Sequence, residues 1–164
     1  MRVREAGIDD IPIICDIAYA TWPNAYGKII SAEQLTYMLQ LIYDPVSLAI
    51  QMEKGQQFYI LYNDDTAVGF AAVGIRPEES PVTYRLYKLY ILPSMHGKGY
   101  GKFLIDHVID TVNKQGAARL DLTVNRENPA QYFYHKLGFE ITREEDTDIG
   151  HGFFMNDYVM ERLV

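Results

Sequence analysis

The chain has 164 residues, 48% of them apolar and 23% charged, with a formal net charge of -7. That length and balance fit a single globular domain, residues 1–164, with a core that needs no disulfide or metal, and they exclude a disordered chain. The acidic surplus, with a pI of about 5.0, argues against a nucleic-acid partner, which requires a basic surface, and is compatible with a cationic substrate.

In chain order, Arg2 to Glu5 reads as a short strand, and Asp9 or Asp10 caps a helix whose inward face includes Ile14, Ile17 and Ala18. Cys15 is the only cysteine, which rules out an internal disulfide and points to a reducing compartment. It lies in the apolar stretch of that helix and reads as a buried structural thiol. The run Trp22-Pro23-Asn24-Ala25-Tyr26-Gly27 is expected to break the helix. Ser31 and Gln34 form a capping-box pattern ahead of Leu35, Met38, Leu39 and Ile42, spaced i, i+3, i+4, i+7, which predicts a second helix. Asp44-Pro45 opens a third, over residues 45–54, with Gly55 as its terminator.

From Phe58 the period changes. Residues 58–62, 67–75 and 84–91 read as strands of an antiparallel meander, turned first at Asn63-Asp64-Asp65. After a glycine-rich run, Leu104, Ile105, Val108, Ile109 and Val112 form a helical stripe that ends near Gly116. Leu120, Leu122 and Val124 alternate as a strand. Pro129 and Gly138 bracket another helix, and residues 139–145 and 153–162 form a last pair of strands. The order is β-α-α-α-β-β-β-α-β-α-β-β. No basic N-terminal region precedes an apolar stretch, and no window of about twenty apolar residues occurs, so neither secretion, membrane insertion nor a membrane partner is expected. The expected location is cytoplasmic. His96, His107, His135 and His151 show no paired metal-ligand spacing, so no metal site is expected.

The glycine-rich run is His96-Gly97-Lys98-Gly99-Tyr100-Gly101-Lys102, between a strand and a helix. Its glycines allow the backbone to turn N–H groups toward a phosphate at a helix N-terminus. A P-loop is excluded because His96 stands where its first glycine belongs and Phe103 where its Ser or Thr belongs. A dinucleotide fingerprint fails from Gly97, which puts Lys102 in the last place, and from Gly99, which puts Leu104 there.

Downstream stands Val124-Asn125-Arg126-Glu127-Asn128-Pro129-Ala130-Gln131-Tyr132-Phe133-Tyr134-His135-Lys136-Leu137-Gly138-Phe139. Together with the glycine run, this block resembles the GNAT superfamily of acyl-CoA-dependent N-acetyltransferases, strongly over residues 58–140 and in outline elsewhere. The family loop reads Gln/Arg-x-x-Gly-x-Gly/Ala and binds the CoA pyrophosphate; it aligns with His96, Gly99 and Gly101, with His96 in place of the usual Gln or Arg. The resemblance implies an α/β fold with a mixed, mostly antiparallel central sheet flanked by helices, and acetyl-CoA as co-substrate. The pyrophosphate would be held by backbone N–H groups from Gly97 through Lys102, with charge added by Lys98 or Lys102. Leu89, Tyr90 and Ile91 would pair in strand fashion with the pantetheine amides, one N–H polarising the thioester carbonyl. Asn128 carries over as the contact to the pantetheine arm, with Asn125 a second candidate.

Expulsion of a thiolate needs a weak acid that is protonated at neutral pH, and tyrosine, with a pKa of about 10, qualifies. The block resembles the family segment that supplies this tyrosine at Tyr134. Tyr132 lies about 200° away around the helix, so only one of the two faces the thioester. Many relatives carry a glutamate as base on the strand before the loop, but residues 82–92 contain no carboxylate and Lys88 stands there. Water relayed to Asp121, Glu140 or His135 is the remaining source of a base. Acceptor selectivity falls to Trp22 and Tyr26, whose aromatic faces attract ammonium groups, and to carboxylates such as Asp146, Asp148 or Asp157. The outline, with Thr21-Trp22 and His151-Gly152-Phe153-Phe154-Met155, is similar to bacterial spermidine/spermine acetyltransferases. The leading expectation is therefore transfer of an acetyl group to a primary amine of a small cationic acceptor such as a polyamine, by direct attack. A protein N-terminal or lysine acetyltransferase and a non-catalytic acyl-CoA-binding module stay open beside it. Many members of the family are homodimers, which the resemblance allows here.

Overall fold

The computed structural model describes residues 1–164. β1 (Arg2–Ala6) leads into α1 (Ile11–Tyr26), α2 (Ala32–Tyr43) and α3 (Pro45–Glu53), then into the meander β2 (Gln57–Asn63), β3 (Thr66–Arg76) and β4 (Thr83–Ile91). α4 (Tyr100–Lys114), β5 (Arg119–Asn125), α5 (Ala130–Lys136), β6 (Glu140–Gly150) and β7 (Phe153–Leu163) follow, in the order expected from the sequence. No helix is long and apolar enough to cross a membrane.

Helix starts follow local chemistry. Ser31 Oγ accepts the Gln34 N–H at 3.1 Å, and Asp44 Oδ2 accepts the Val46 N–H at 3.1 Å ahead of Pro45. The Gln34 side chain does not close the box; its amide donates to the Phe154 carbonyl at 2.9 Å and ties α2 to the β6–β7 hairpin.

Two boundaries differ from expectation. α1 is not broken at Trp22 but runs through Pro23 to Tyr26. Pro23 removes the donor for the Tyr19 carbonyl, yet Tyr19 is an exposed residue, so the loss falls on the solvent side of the helix where it costs least. Trp22 and Tyr26, with ring centroids 4.6 Å apart, hold the last turn. β6 continues to Gly150 instead of ending near residue 145. Its far half is acidic and exposed, so no apolar alternation marks it; pairing with β7 and the His151-Gly152 turn, with φ of 53° and 76°, sustain it.

One seven-stranded sheet has the order β1-β2-β3-β4-β5-β7-β6, antiparallel except for the β4–β5 pair. β2 and β3 are buried almost throughout because helices cover both faces. On one face, Ile14, Ile17, Ala18 and Leu48 of α1 and α3 pack on Phe58, Ile60 and Phe70. On the other, Leu104, Ile105, Val108 and Val112 of α4 pack with Leu61, Leu86, Leu120 and Leu122.

Candidate active site

The parallel ladder is short. Thr83 to Leu86 pair with Arg119 to Leu122, and beyond them residues 87–91 of β4 and 123–125 of β5 have no ladder between them. The divergence begins at a bulge: Val73 faces Leu86 while Ala72 faces Lys88, so Tyr87 is an extra residue on β4. A bulge bends its strand and raises local twist, which turns β4 away from β5. The paired end is clamped, since Asp121 accepts from Arg85 Nε at 2.9 Å and from Arg76 at 2.7 Å.

The gap opens into a cleft of about 1040 Å³ bounded by β4, β5, the glycine run, the start of α5 and the end of α1. Gly97 and Gly99 have φ of 74° and 85°, and a Cβ at either would meet no protein atom within 4 Å. These are left-handed positions facing open space, and Gly99 is the N-cap of α4. At Gly101 a Cβ would lie 3.4 Å from the Phe133 ring, so a small residue there lets α5 approach α4. His96 Nε2 donates to the Ile91 carbonyl at 2.8 Å, which ties the run back to the end of β4. Lys98 donates to the Ser94 carbonyl, and Lys102 pairs with Asp106.

The cleft collects Tyr26, Leu89, Tyr90, Ile91, His96, Gly97, Gly99, Tyr100, Gly101, Lys102, Asn128 and Tyr134. Trp22, Lys98 and Asn125 do not line it. Trp22 is 2% exposed and backs the wall behind Tyr26. Asn125 Oδ1 accepts the Glu127 N–H at 2.9 Å, and Asn128 Oδ1 accepts the Ala130 N–H at 2.9 Å. These contacts shape the turn into α5.

Tyr134 is buried between Phe133 and Phe139, whose ring centroids lie 5.3 and 5.8 Å from its own, whereas Tyr132 is 67% exposed. Burial, and then the neighbouring Tyr26 phenol, raise the Tyr134 pKa and hold it protonated. Opposite it, the Tyr26 and Tyr90 hydroxyls are 2.9 Å apart, and burial raises both of their pKa values. Three neighbouring phenols and the glycine run thus line one cleft.

Other ionisable groups sort by their contacts. Lys88 Nζ donates to Gln51 Oε1 at 2.6 Å and Gln56 Oε1 at 3.0 Å, and burial pushes its pKa down to about 7. Asp121 is engaged by its two arginines, and His135 and Glu140 face each other at 3.6 Å on the exposed end of α5, so none of these three lines the cleft. The Cys15 thiol donates to the Tyr43 carbonyl at 3.2 Å, and burial raises its pKa, as for an inert thiol. Sequence reasoning missed the Tyr87 bulge and the Tyr90 phenol. Alternation along β4 carries a signal for Tyr90; nothing local marks the bulge. Asp157 is named in the sequence only beside Asp146 and Asp148, and the structure sets it apart as the one enclosed carboxyl of the three.

Comparison with known proteins adds identity to this geometry. The chain is 41% identical over 154 residues to an uncharacterised N-acetyltransferase of Mycobacterium tuberculosis, covering 93% of this chain and 97% of that one. It is 26% identical over 168 residues to the spermidine N(1)-acetyltransferase of Thermoplasma acidophilum, covering 99% and 96%. The crystal structure of the Thermoplasma acidophilum PaiA N-acetyltransferase in complex with coenzyme A matches with a TM-score of 0.82 at 26% identity, covering 99% of this chain and 98% of that one. A GCN5-related N-acetyltransferase from Rhodopseudomonas palustris shares the fold, with a TM-score of 0.82 at 21% identity, covering 99% and 95%. The family model described as acetyltransferase (GNAT) domain matches residues 28–161. With the splayed β4–β5 pair, the glycine-rich helix start and these matches together, the chain belongs to the GNAT family of N-acetyltransferases, which use acetyl-CoA as co-substrate.

Proposed function

We propose that this enzyme acetylates a primary amine of a small cationic acceptor, a polyamine being the class that fits best, with Tyr134 as general acid. The observation that carries the reading is the convergence on one cleft of a glycine-rich helix start and a phenol that makes no hydrogen bond to the protein. Backbone N–H groups of Gly97 to Lys102 hold the pyrophosphate at the positive end of α4, and the unpaired edge of Leu89, Tyr90 and Ile91 receives the pantetheine amides. The Asn128 side chain adds a contact to that arm. The acceptor amine, having lost its extra proton to water, attacks the thioester carbonyl from the side of Tyr26 and Tyr90; the C–S bond breaks, the departing thiolate takes its proton from Tyr134 Oη, and the proton shed by the new amide nitrogen restores the phenol through solvent. The acceptor class is supported by the acidic net charge of -7, by the aromatic wall, and by the relative named for spermidine acetylation.

The test is release of free thiol from acetyl-CoA with spermidine, simple diamines and an N-terminal alanine peptide as acceptors. Turnover of the polyamines with Tyr134→Phe lowering kcat by about 10²–10⁴-fold is the expected result. Because the Tyr134 hydroxyl bonds to nothing in the protein, the variant keeps its melting temperature. Preference for the peptide, or binding of acetyl-CoA without turnover of any amine, would overturn the polyamine reading.

A further inference from the structure

The β6–β7 hairpin brings three candidate carboxylates toward the acceptor side, and their surroundings separate them. Asp146 is paired with Arg126, and Asp148 Oδ1 accepts the Gly150 N–H at 2.8 Å, both at the surface. Asp157 is 4% exposed, and its Oδ1 is enclosed with no donor in reach. An enclosed carboxylate oxygen without a partner costs stability, and packing alone gives no reason for one.

Its position supplies a reason. Along β7, Tyr158 and Met160 face the core under α4 while Met155 faces the core under α1–α3, so alternation puts Asp157 on the α1–α3 face. Its ladder partner is Asn125, the last residue of β5, beyond the point where β4 and β5 part. Asp157 does not itself line the cleft, but it stands level with it and near enough for its charge to oppose ionisation of the Tyr26 phenol in the cleft wall. The charged groups around it are Glu145 and Asp146 on β6, Arg85 on β4 and Arg126 after β5. Arg85 is engaged with Asp121, and Arg126 with Glu144 and Asp146, so neither guanidinium pairs with Asp157, although both favour its charge from a distance.

We propose that Asp157 binds an ammonium group of the acceptor, an aliphatic di- or polyamine, as its charge partner beside the faces of Tyr26 and Tyr90. This deepens the reading above and rests on it only for the acceptor class. An incoming ammonium supplies the donors that the carboxylate lacks, and the adjacent rings add attraction to the cation. Burial and Glu145 push the Asp157 pKa up to about 6, so the anchor is an anion above that pH and is lost as pH falls through it.

The experiment is titration of spermidine into the CoA-saturated protein at pH 7.5 and 5, read by calorimetry and by the emission of Trp22, the only tryptophan. Spermidine stays protonated over this range. Wild-type affinity is expected to weaken at least tenfold at the lower pH. Asp157→Asn is expected to bind at least tenfold more weakly at pH 7.5 and to lose the pH dependence, with CoA affinity and melting temperature kept. Equal affinity in wild type and variant, a flat wild-type pH profile, or no binding by either protein would overturn the proposal; the wild-type profile decides even if the variant does not fold. Asp157-dependent binding without thiol release from any amine would leave the anchor standing and remove the acetylation reading.

Discussion

Gly99 and Gly116 form a matched pair through which the pyrophosphate cradle is tested. Their φ values are 85° and 86°, and a Cβ at either meets no protein atom within 4 Å. Gly99 caps α4 in the cleft, whereas Gly116 follows the other end of the same helix. Alanine at either position pays the same left-handed backbone penalty, about 1–2 kcal/mol. For a chain of this size that lowers the melting temperature by about 2–8 °C. On the proposed cradle, only Gly99→Ala places a methyl group where phosphate oxygens would approach the amides. Loss of one charge-assisted hydrogen bond is worth about 1.5–3 kcal/mol, or roughly a ten- to hundredfold rise in the Kd for acetyl-CoA. Calorimetric titration of both variants, with thermal unfolding alongside, separates the two effects. If Gly99→Ala binds acetyl-CoA within twofold of Gly116→Ala, the cradle lies elsewhere.

Two further outcomes concern the frame of the site. Burial lowers the Lys88 pKa to about 7. Between pH 7 and about 10 the unfolded chain therefore binds more protons than the folded one, and stability rises with pH across that window. Lys88→Met should remove this slope, a difference on the order of a few kcal/mol, measured by urea unfolding across pH 6.5–9.5. Parallel stability curves for the two proteins would contradict it. Asp121→Asn leaves Arg85 and Arg76 without their shared carboxylate at the closed end of the β4–β5 wedge, and should cost about 3 kcal/mol and about 6–12 °C of melting temperature. An unchanged melting temperature would show that the clamp adds nothing.

Much of the frame is legible in the sequence because its signals are local. Ser31 and Asp44 cap the helices they precede, and the stripe from Leu104 to Val112 turns inward as its spacing requires. The glycine run is legible as a helix start from its own residues, and Tyr134 stands out through the resemblance that its block carries; the structure brings both to one cleft. Pro23 misleads because its cost depends on whether the Tyr19 carbonyl meets water, which only the tertiary arrangement decides. The Tyr87 bulge leaves no mark in a run as uniformly strand-forming as Tyr84 to Ile91; it exists because β3 and β4 are held in two registers at once. Asp157 reads in the sequence as one of three candidate carboxylates, with nothing to separate it from Asp146 and Asp148. Its isolation arises from strands β5, β6 and β7 meeting, and from nearby arginines being engaged elsewhere.

The wedge between β4 and β5 has a thermodynamic meaning beyond shape. Interior strands of a sheet satisfy both edges, yet here one edge of residues 87–91 is left without a neighbouring strand in the middle of the molecule. On the proposed reading, an extended, amide-bearing ligand seated there would act as a missing eighth strand, so its binding would be in part the last step of folding. The stability of this enzyme is then a function of its metabolic surroundings: at a hundredfold excess over Kd such a ligand adds about 2.7 kcal/mol, comparable to a buried ion pair. On that reading, co-substrate supply would set the stability of the protein as well as its rate.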